Sequence, residues 1–200
     1  MRAPIRLLLG LCAGIALSLA ACERRAPPEQ TAAAPVAIGG PFHLVDQTGH
    51  PFTDRDLLGK PTAIFFGFTF CPEVCPTTLA DMTRWLAALG PDGNRVNVVF
   101  VSIDPTRDTP AVLKQYLGNF DPRIRGLTGT EAEIATTARE YRIFYRKVPL
   151  PGGGYTMDHT AGVFLFDRTG KFAGVISYGG DPNRGVAPLR QLLKPQLLNP

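Results

Sequence analysis

The sequence predicts an α/β fold in which helices cover a central, mostly parallel sheet. Three observations carry that prediction. "GKPTAIFFGF" (Gly59–Phe68) is a nearly continuous apolar run, the pattern of a strand buried on both faces. "NRVNVVFVSID" is a second such run further along. Segments with helical spacing fall between and after these strands, the arrangement from which layered α/β domains are built.

The elements follow in order. "PFHLVDQTGHPFT", from Pro41, reads as two short strands around a glycine turn. After the first core strand, Leu79, Met82, Trp85, Leu86 and Leu89 recur at helical spacing over Thr77–Leu89, and Gly90-Pro91 stops that helix. Beyond the second core strand, Thr109 is placed to cap a helix with Pro110 at its first position, running to about Phe120. "TEAE" (Thr130–Glu133) is a capping box that opens a third helix ending near Tyr141. "PLPGGG" (Pro149–Gly154) is a turn between hairpin arms, and "GVFLFDRTGKFAGVISY" reads as two strands joined at Arg168-Thr169-Gly170. A last helix fits Val186–Leu198, with Pro195 disturbing its end.

Ahead of the domain lie two segments of different character. Residues 1–21 combine a short basic start, Arg2 and Arg6, with the apolar stretch "LLLGLCAGIALSLAA", as in a secretory signal peptide. The stretch is shorter than the roughly 20 residues that cross a bilayer comfortably. It ends at Leu19-Ala20-Ala21-Cys22, which resembles the lipobox of bacterial lipoproteins, where cleavage leaves a lipid-modified cysteine. An uncleaved N-terminal anchor is the alternative; either one tethers the domain to a membrane outside the cytoplasm. Residues 22–40 would then be the lipidated Cys22 and a Pro- and Ala-rich tether, and 41–200 the folded domain. Without Arg2 and Arg6 the chain has 19 basic against 17 acidic residues, interspersed and without a basic stripe, so nucleic acid is not an expected partner.

Of the four cysteines, Cys12 falls in the signal segment and Cys22 at the lipidation site, leaving Cys71 and Cys75 in the domain. They stand in "FFGFTFCPEVCPTTL", where the first core strand gives way to a helix, and sites favour this end of a parallel strand. A pair four residues apart closes too small a loop to staple a fold. Residues at this spacing share a helix face, and a helix N-terminus lowers a thiol's pKa. Pro72 suits an early helical position, and Pro76 is expected to shape or kink the next turn. Two thiolates so placed suit a soft metal, Cu(I) above all. They also suit thiol–disulfide exchange, although Cys-x-x-Cys is the commoner motif for it. Two unreactive core thiols are the third possibility. A peroxiredoxin-type peroxidase is disfavoured because neither cysteine has the Pro-x-x-x-Thr/Ser-x-x-Cys spacing before it.

A further ligand would narrow these alternatives. His43 and His50 sit on or beside the first short strands and read as surface or hydrogen-bonding residues. His159 stands in "YTMDHTAGVFLF", in the loop before a core strand, with Asp158 beside it to orient the ring.

"FFGFTFCPEVCP", "VSIDPTRDTP", "YRIFY" and "MDHTAGVFLFD" occur in the same order as in the Sco/SenC family, and the chain resembles that family from about Gly39 to Leu198. The resemblance implies a thioredoxin-like fold with a hairpin inserted before the His159 loop. It implies a membrane-anchored copper chaperone rather than an enzyme, serving assembly of the dinuclear CuA centre of cytochrome c oxidase. Cys71, Cys75 and His159 would be the copper ligands, with the choice of Cu(I), Cu(II) or both left open by the sequence. Expected partners are the oxidase subunit carrying CuA, a periplasmic copper donor and, through Cys22, the periplasmic side of the bacterial inner membrane. The alternative is a thiol–disulfide oxidoreductase that reduces the target's cysteines with Cys71 and Cys75. Phe70 departs from the family, many of whose members have histidine before the first cysteine. Asp104 and Arg107–Pro110 match a family motif; here they are expected to shape a strand-to-helix loop, with Arg107 and Asp108 paired locally.

Overall fold

The computed structural model describes residues 37–195. The signal segment 1–21, Cys22 and residues 23–36 of the tether lie outside the described residues. Packing reaches back to Ile38, which rests on the core, and the Gly39 N–H donates to the Glu140 carbonyl at 2.9 Å.

Nine strands and four α-helices are present among the described residues: β1 His43–Asp46, β2 Pro51–Thr53, β3 Thr62–Gly67, α1 Val74–Leu89, β4 Asn97–Ser102, α2 Pro110–Leu117, β5 Ile124–Thr128, α3 Glu131–Glu140, β6 Tyr145–Pro149, β7 Tyr155–His159, β8 Gly162–Phe166, β9 Phe172–Ser177 and α4 Val186–Leu193. Seven strands form one sheet in the order β2-β1-β5-β4-β3-β8-β9. The α/β expectation holds, but the sheet is mixed rather than mostly parallel. Only β3–β4 and β4–β5 pair in parallel; β1–β2, β1–β5, β3–β8 and β8–β9 are antiparallel. Tight turns are the cause in β1–β2 and β8–β9, since they reverse the chain. Both are built the same way. Asp46 accepts from the Thr48 and His50 amides at 2.8 and 3.2 Å, and Asp167 from those of Thr169 and Lys171 at 2.8 and 3.1 Å.

All six residues of β3 are buried. Ile64, Phe65 and Phe66 lie at the centre of the core, and each such side chain contributes about 1.5–3 kcal/mol by leaving water. Strand β5 has no counterpart in the sequence reading. It is short, and Arg125 and Gly126 interrupt its apolar pattern. Arg125 reaches Asp46 at 2.8 Å, and a Cβ on Gly126 would lie 2.5 Å from Leu117, so glycine is what lets α2 pack there.

Helix α1 begins at Val74, three residues before the predicted start, and takes in Cys75. Pro76 is its third residue, where the missing N–H forfeits no intrahelical bond, so the expected kink has no cause. The Thr109 cap and the Thr130–Glu133 capping box both form. Helix α2 stops at Leu117 rather than Phe120, and α4 at Leu193 rather than Leu198. Lys194, directly before Pro195, is extended, as the proline ring requires of its predecessor. Trp85 on α1 donates to the Pro182 carbonyl at 2.6 Å, and Arg190 on α4 to that of Ala88 at 2.9 Å, tying these helices together.

Strands β6 and β7 form a separate two-stranded hairpin, the insertion expected before His159. Gly152, Gly153 and Gly154 turn it with φ of 88°, 105° and 77°. His159 is the last residue of β7, paired with Tyr145, and not part of a loop.

Candidate metal centre

The site is built where β3 ends. Past Gly67 the chain turns through Phe68–Cys71, with the Cys71 N–H donating to the Phe68 carbonyl at 3.3 Å, and α1 starts at Val74. Cys71 therefore precedes the helix and only Cys75 lies within it. The sulfurs meet because Cys71 Sγ takes the place of a capping side chain, accepting from the Cys75 N–H at 3.4 Å. Cys75 is fully buried against the strand end. A Cβ at position 67 would stand 2.7 Å from its sulfur, so Gly67 makes room for this thiol.

His159 arrives from the hairpin. The two sulfurs and an imidazole nitrogen lie within 4.8 Å of one another, with Cys75 Sγ 3.7 Å from Nε2. His159 Nδ1 is 3.0 Å from the Thr160 carbonyl, which can only accept, so Nδ1 carries the proton and the Nε2 lone pair faces the thiols. The rings of Phe65 and Phe68 meet the imidazole edge-on at 6.1 and 5.8 Å and hold its plane. Asp158 has no part in this. It points away on the exposed face of β7 and pairs with Arg146 at 2.7 Å, so ring orientation comes from the backbone of Thr160 instead. His43 is exposed and His50 bonds Thr48 at 2.8 Å; neither belongs to the site.

Both cysteines are free. The Cys71 thiol is pulled down to about 4, chiefly by the hydrogen bond from Cys75, with the Cys75 and Glu73 amides assisting and burial opposing. Cys75 is pushed far up, first by that same bond and then by burial. Cys71 is thus the thiolate and Cys75 keeps the proton. A groove of about 420 Å³, lined by Phe68, Cys71, Val74, Phe144 and His159 among others, opens the site to solvent on the Cys71 side. Once a metal displaces the Cys75 proton, two thiolates and one imidazole would form a soft donor set suited to Cu(I), with no fourth ligand in the group among the described residues.

The loop after β4 supports the thiols in a way the sequence reading missed. Asp108 is buried and accepts from the Thr69 amide at 3.0 Å, the Thr69 hydroxyl at 2.6 Å and the Ser102 hydroxyl at 2.6 Å. It does not pair with Arg107, whose partner is Asp104. The shared motif "DPTRD" was the available signal; spacing alone could not tell which carboxylate faces which group.

The family model for SCO1/SenC matches residues 30–194. The chain belongs to the SCO1/SenC family. Its fold is shared with the structure of Bradyrhizobium japonicum ScoI with copper bound, at 50% identity and a TM-score of 0.74 over 78% of this chain and 99% of that one. Yeast Sco1 with copper bound gives 38% identity and a TM-score of 0.74 over 82% and 92% of the two chains. These likenesses bear out the thioredoxin-like architecture. In sequence, the mitochondrial protein SCO1 of Saccharomyces cerevisiae is 40% identical over 161 residues, 79% of this chain and 55% of that protein. Protein SenC of Rhodobacter capsulatus is 38% identical over 175 residues, 82% of this chain and 75% of that one. The chain spans about half the length of its yeast relatives, 55% of SCO1 and 54% of SCO2.

Proposed function

We propose that this SCO1/SenC protein is a copper chaperone that holds copper through Cys71, Cys75 and His159 and delivers it to the CuA centre of cytochrome c oxidase during assembly. The observation that carries this reading is the convergence of two sulfurs and one imidazole nitrogen within 4.8 Å from a strand-end loop, a helix start and a hairpin. Copper in related structures at 50% and 38% identity supports the choice of metal. A closed structural zinc site would use four ligands. With three, and with Cys71 open to a groove, copper can enter and leave by ligand exchange, each incoming cysteine or histidine displacing one protein ligand. Cys22, lipidated, would hold the domain at the periplasmic face of the inner membrane, where a periplasmic copper donor and the oxidase subunit are both within reach. The signal-like segment and the lipobox-like Leu19-Ala20-Ala21-Cys22 are the sequence features that support the tether.

A second reading rests on the unequal thiols. Cys71 is accessible and favours thiolate, while Cys75 sits behind it, the order needed for attack on a target disulfide followed by resolution. One experiment separates the two. Copper-loaded protein is mixed with the metal-free CuA-bearing domain whose cysteines are reduced, and metal-free, reduced protein with the same domain as its disulfide. Copper appearing on the reduced target is the expected result. No copper transfer, with the disulfide target becoming reduced, would replace delivery by thiol–disulfide exchange.

A further inference from the structure

Among the described residues, the hairpin that carries His159 pairs only with itself and joins no strand of the main sheet. A lone two-stranded hairpin is marginally stable in water, so contacts outside its ladder must keep the imidazole at the thiols. Alternate residues of β7 share a face, which places Tyr155, Met157 and His159 together. Met157 is buried and His159 meets the cysteines. Tyr155, at the far end, is gripped by the loop after β4. Its hydroxyl donates to the buried carboxylate of Asp104 at 2.8 Å, and its carbonyl accepts from Arg107 Nη1 at 2.9 Å.

The Arg107 guanidinium lies between the hairpin and the thiol loop. Its carbon is 3.8 Å from the Tyr155 ring centroid, 4.6 Å from that of Phe70 and 5.8 Å from that of Phe68. Its Nε is paired with Asp104. Its Nη2 is buried and finds no hydrogen-bond partner among the described residues, so on that side the ring faces are its only compensation. Phe70 adjoins Cys71 in sequence, so one side chain contacts both the hairpin that carries His159 and the loop that carries Cys71. The other tie at this end of the hairpin, Lys147 to Glu131 at 3.3 Å, is exposed on both partners and correspondingly weak.

We infer that Arg107 is a positioning residue for the metal centre: stacked between Tyr155 and Phe70 and paired with Asp104, it clamps the hairpin to the cysteine loop and so presents His159 to the thiols. The copper part of this inference rests on the proposed function; the clamp itself does not. It also gives the aromatic ring at position 70 a role, as one face of the stack.

The test uses the full chain in detergent, as wild type, Arg107→Ala, His159→Ala and the double variant. Amide hydrogen exchange on the metal-free protein is expected to speed up across residues 145–159 in Arg107→Ala and to stay unchanged in β3 and β4. Cu(I) affinity, read by chelator competition, is expected to fall about ten- to a hundredfold in Arg107→Ala, as for other residues that orient a ligand. It should fall no further when Arg107→Ala is added to His159→Ala, because the arginine acts through the histidine. Equal losses in both backgrounds, or unchanged exchange in the hairpin, would overturn the clamp. Should Arg107→Ala not fold, Arg107→Lys keeps a charge beside Asp104, loses the planar fork and stack, and undergoes the same measurements. If the wild type binds no Cu(I), the proposed function falls, and metal-free exchange still decides the clamp.

Discussion

Replacing Asp108 with alanine removes the acceptor for three donors at once: the Thr69 amide, the Thr69 hydroxyl and the Ser102 hydroxyl. A buried donor left unpaired costs about 1–3 kcal/mol. The amide cannot turn away and bears that cost in full, whereas the hydroxyls can rotate toward other acceptors. Relief from burying a carboxylate is set against what the hydroxyls still lose, which leaves a net loss of about 1–3 kcal/mol. The assay is urea unfolding of the full chain at pH 7, where the midpoint should fall at constant slope. Cu(I) affinity should fall too, since Thr69 lies two residues from Cys71. Burial holds the Asp108 carboxyl above its ordinary value, against the hydrogen bonds from Ser102 and Thr69. A folded-state pKa above the unfolded one means that protonated Asp108 contributes stability below about pH 3.8, lost as pH rises through the raised value. Asp108→Asn accepts from Thr69 without a charge to bury, so it should lack this pH dependence and lie closer to wild type at pH 7. An Asp108→Ala protein within about 0.5 kcal/mol of wild type, the range of ordinary surface changes, with unchanged copper affinity would refute the reasoning.

Three further outcomes are expected. Gly67→Ala sets a Cβ 2.7 Å from the Cys75 sulfur and 2.8 Å from the Phe100 ring, so it should cost about 1–3 kcal/mol in urea unfolding and weaken Cu(I) binding; wild-type behaviour in both would show that the sulfur has room to move. Iodoacetamide should modify Cys71 in the reduced, metal-free protein at a rate nearly flat between pH 6 and 8, and Cys75 hardly at all, because the Cys71 thiol is drawn down to about 4. A tenfold rise per pH unit, as for an ordinary thiol with pKa of about 8.5, would contradict that assignment. Thr130→Ala removes the capping box at α3 and should lower stability by about 0.5–2 kcal/mol without altering copper affinity; a loss of affinity would mean that α3 communicates with the site.

What was legible in the sequence follows from which signals are local. Strand β3 could be read because burial on both faces leaves an unbroken apolar run. The caps at Thr109 and Thr130 could be read because capping is a matter of one or two side chains and the next turn. Strand β5 could not, since Arg125 is satisfied by Asp46 from a strand distant in sequence, and Gly126 answers to Leu117 on a helix. The same division holds at the site. Cys71, Cys75 and His159 stood out by type and motif, and the structure brings all three together. Residue type did not reveal that Cys71 caps the helix, that Thr160 rather than Asp158 orients the imidazole, or that Asp108 supports the thiol loop while Arg107 reaches the hairpin. Each of these depends on a contact closed by the fold, not on spacing along the chain.

The central claim is that Cys71, Cys75 and His159 together hold one copper ion. The most direct test is Cu(I) titration of the reduced full chain against a competing chelator, repeated with Cys71→Ser, Cys75→Ser and His159→Ala. The account expects one tight equivalent in the wild type and weaker binding in every variant. Tight binding that survives His159→Ala unchanged would take the histidine out of the site, and the absence of any tight equivalent in the wild type would contradict the account as a whole.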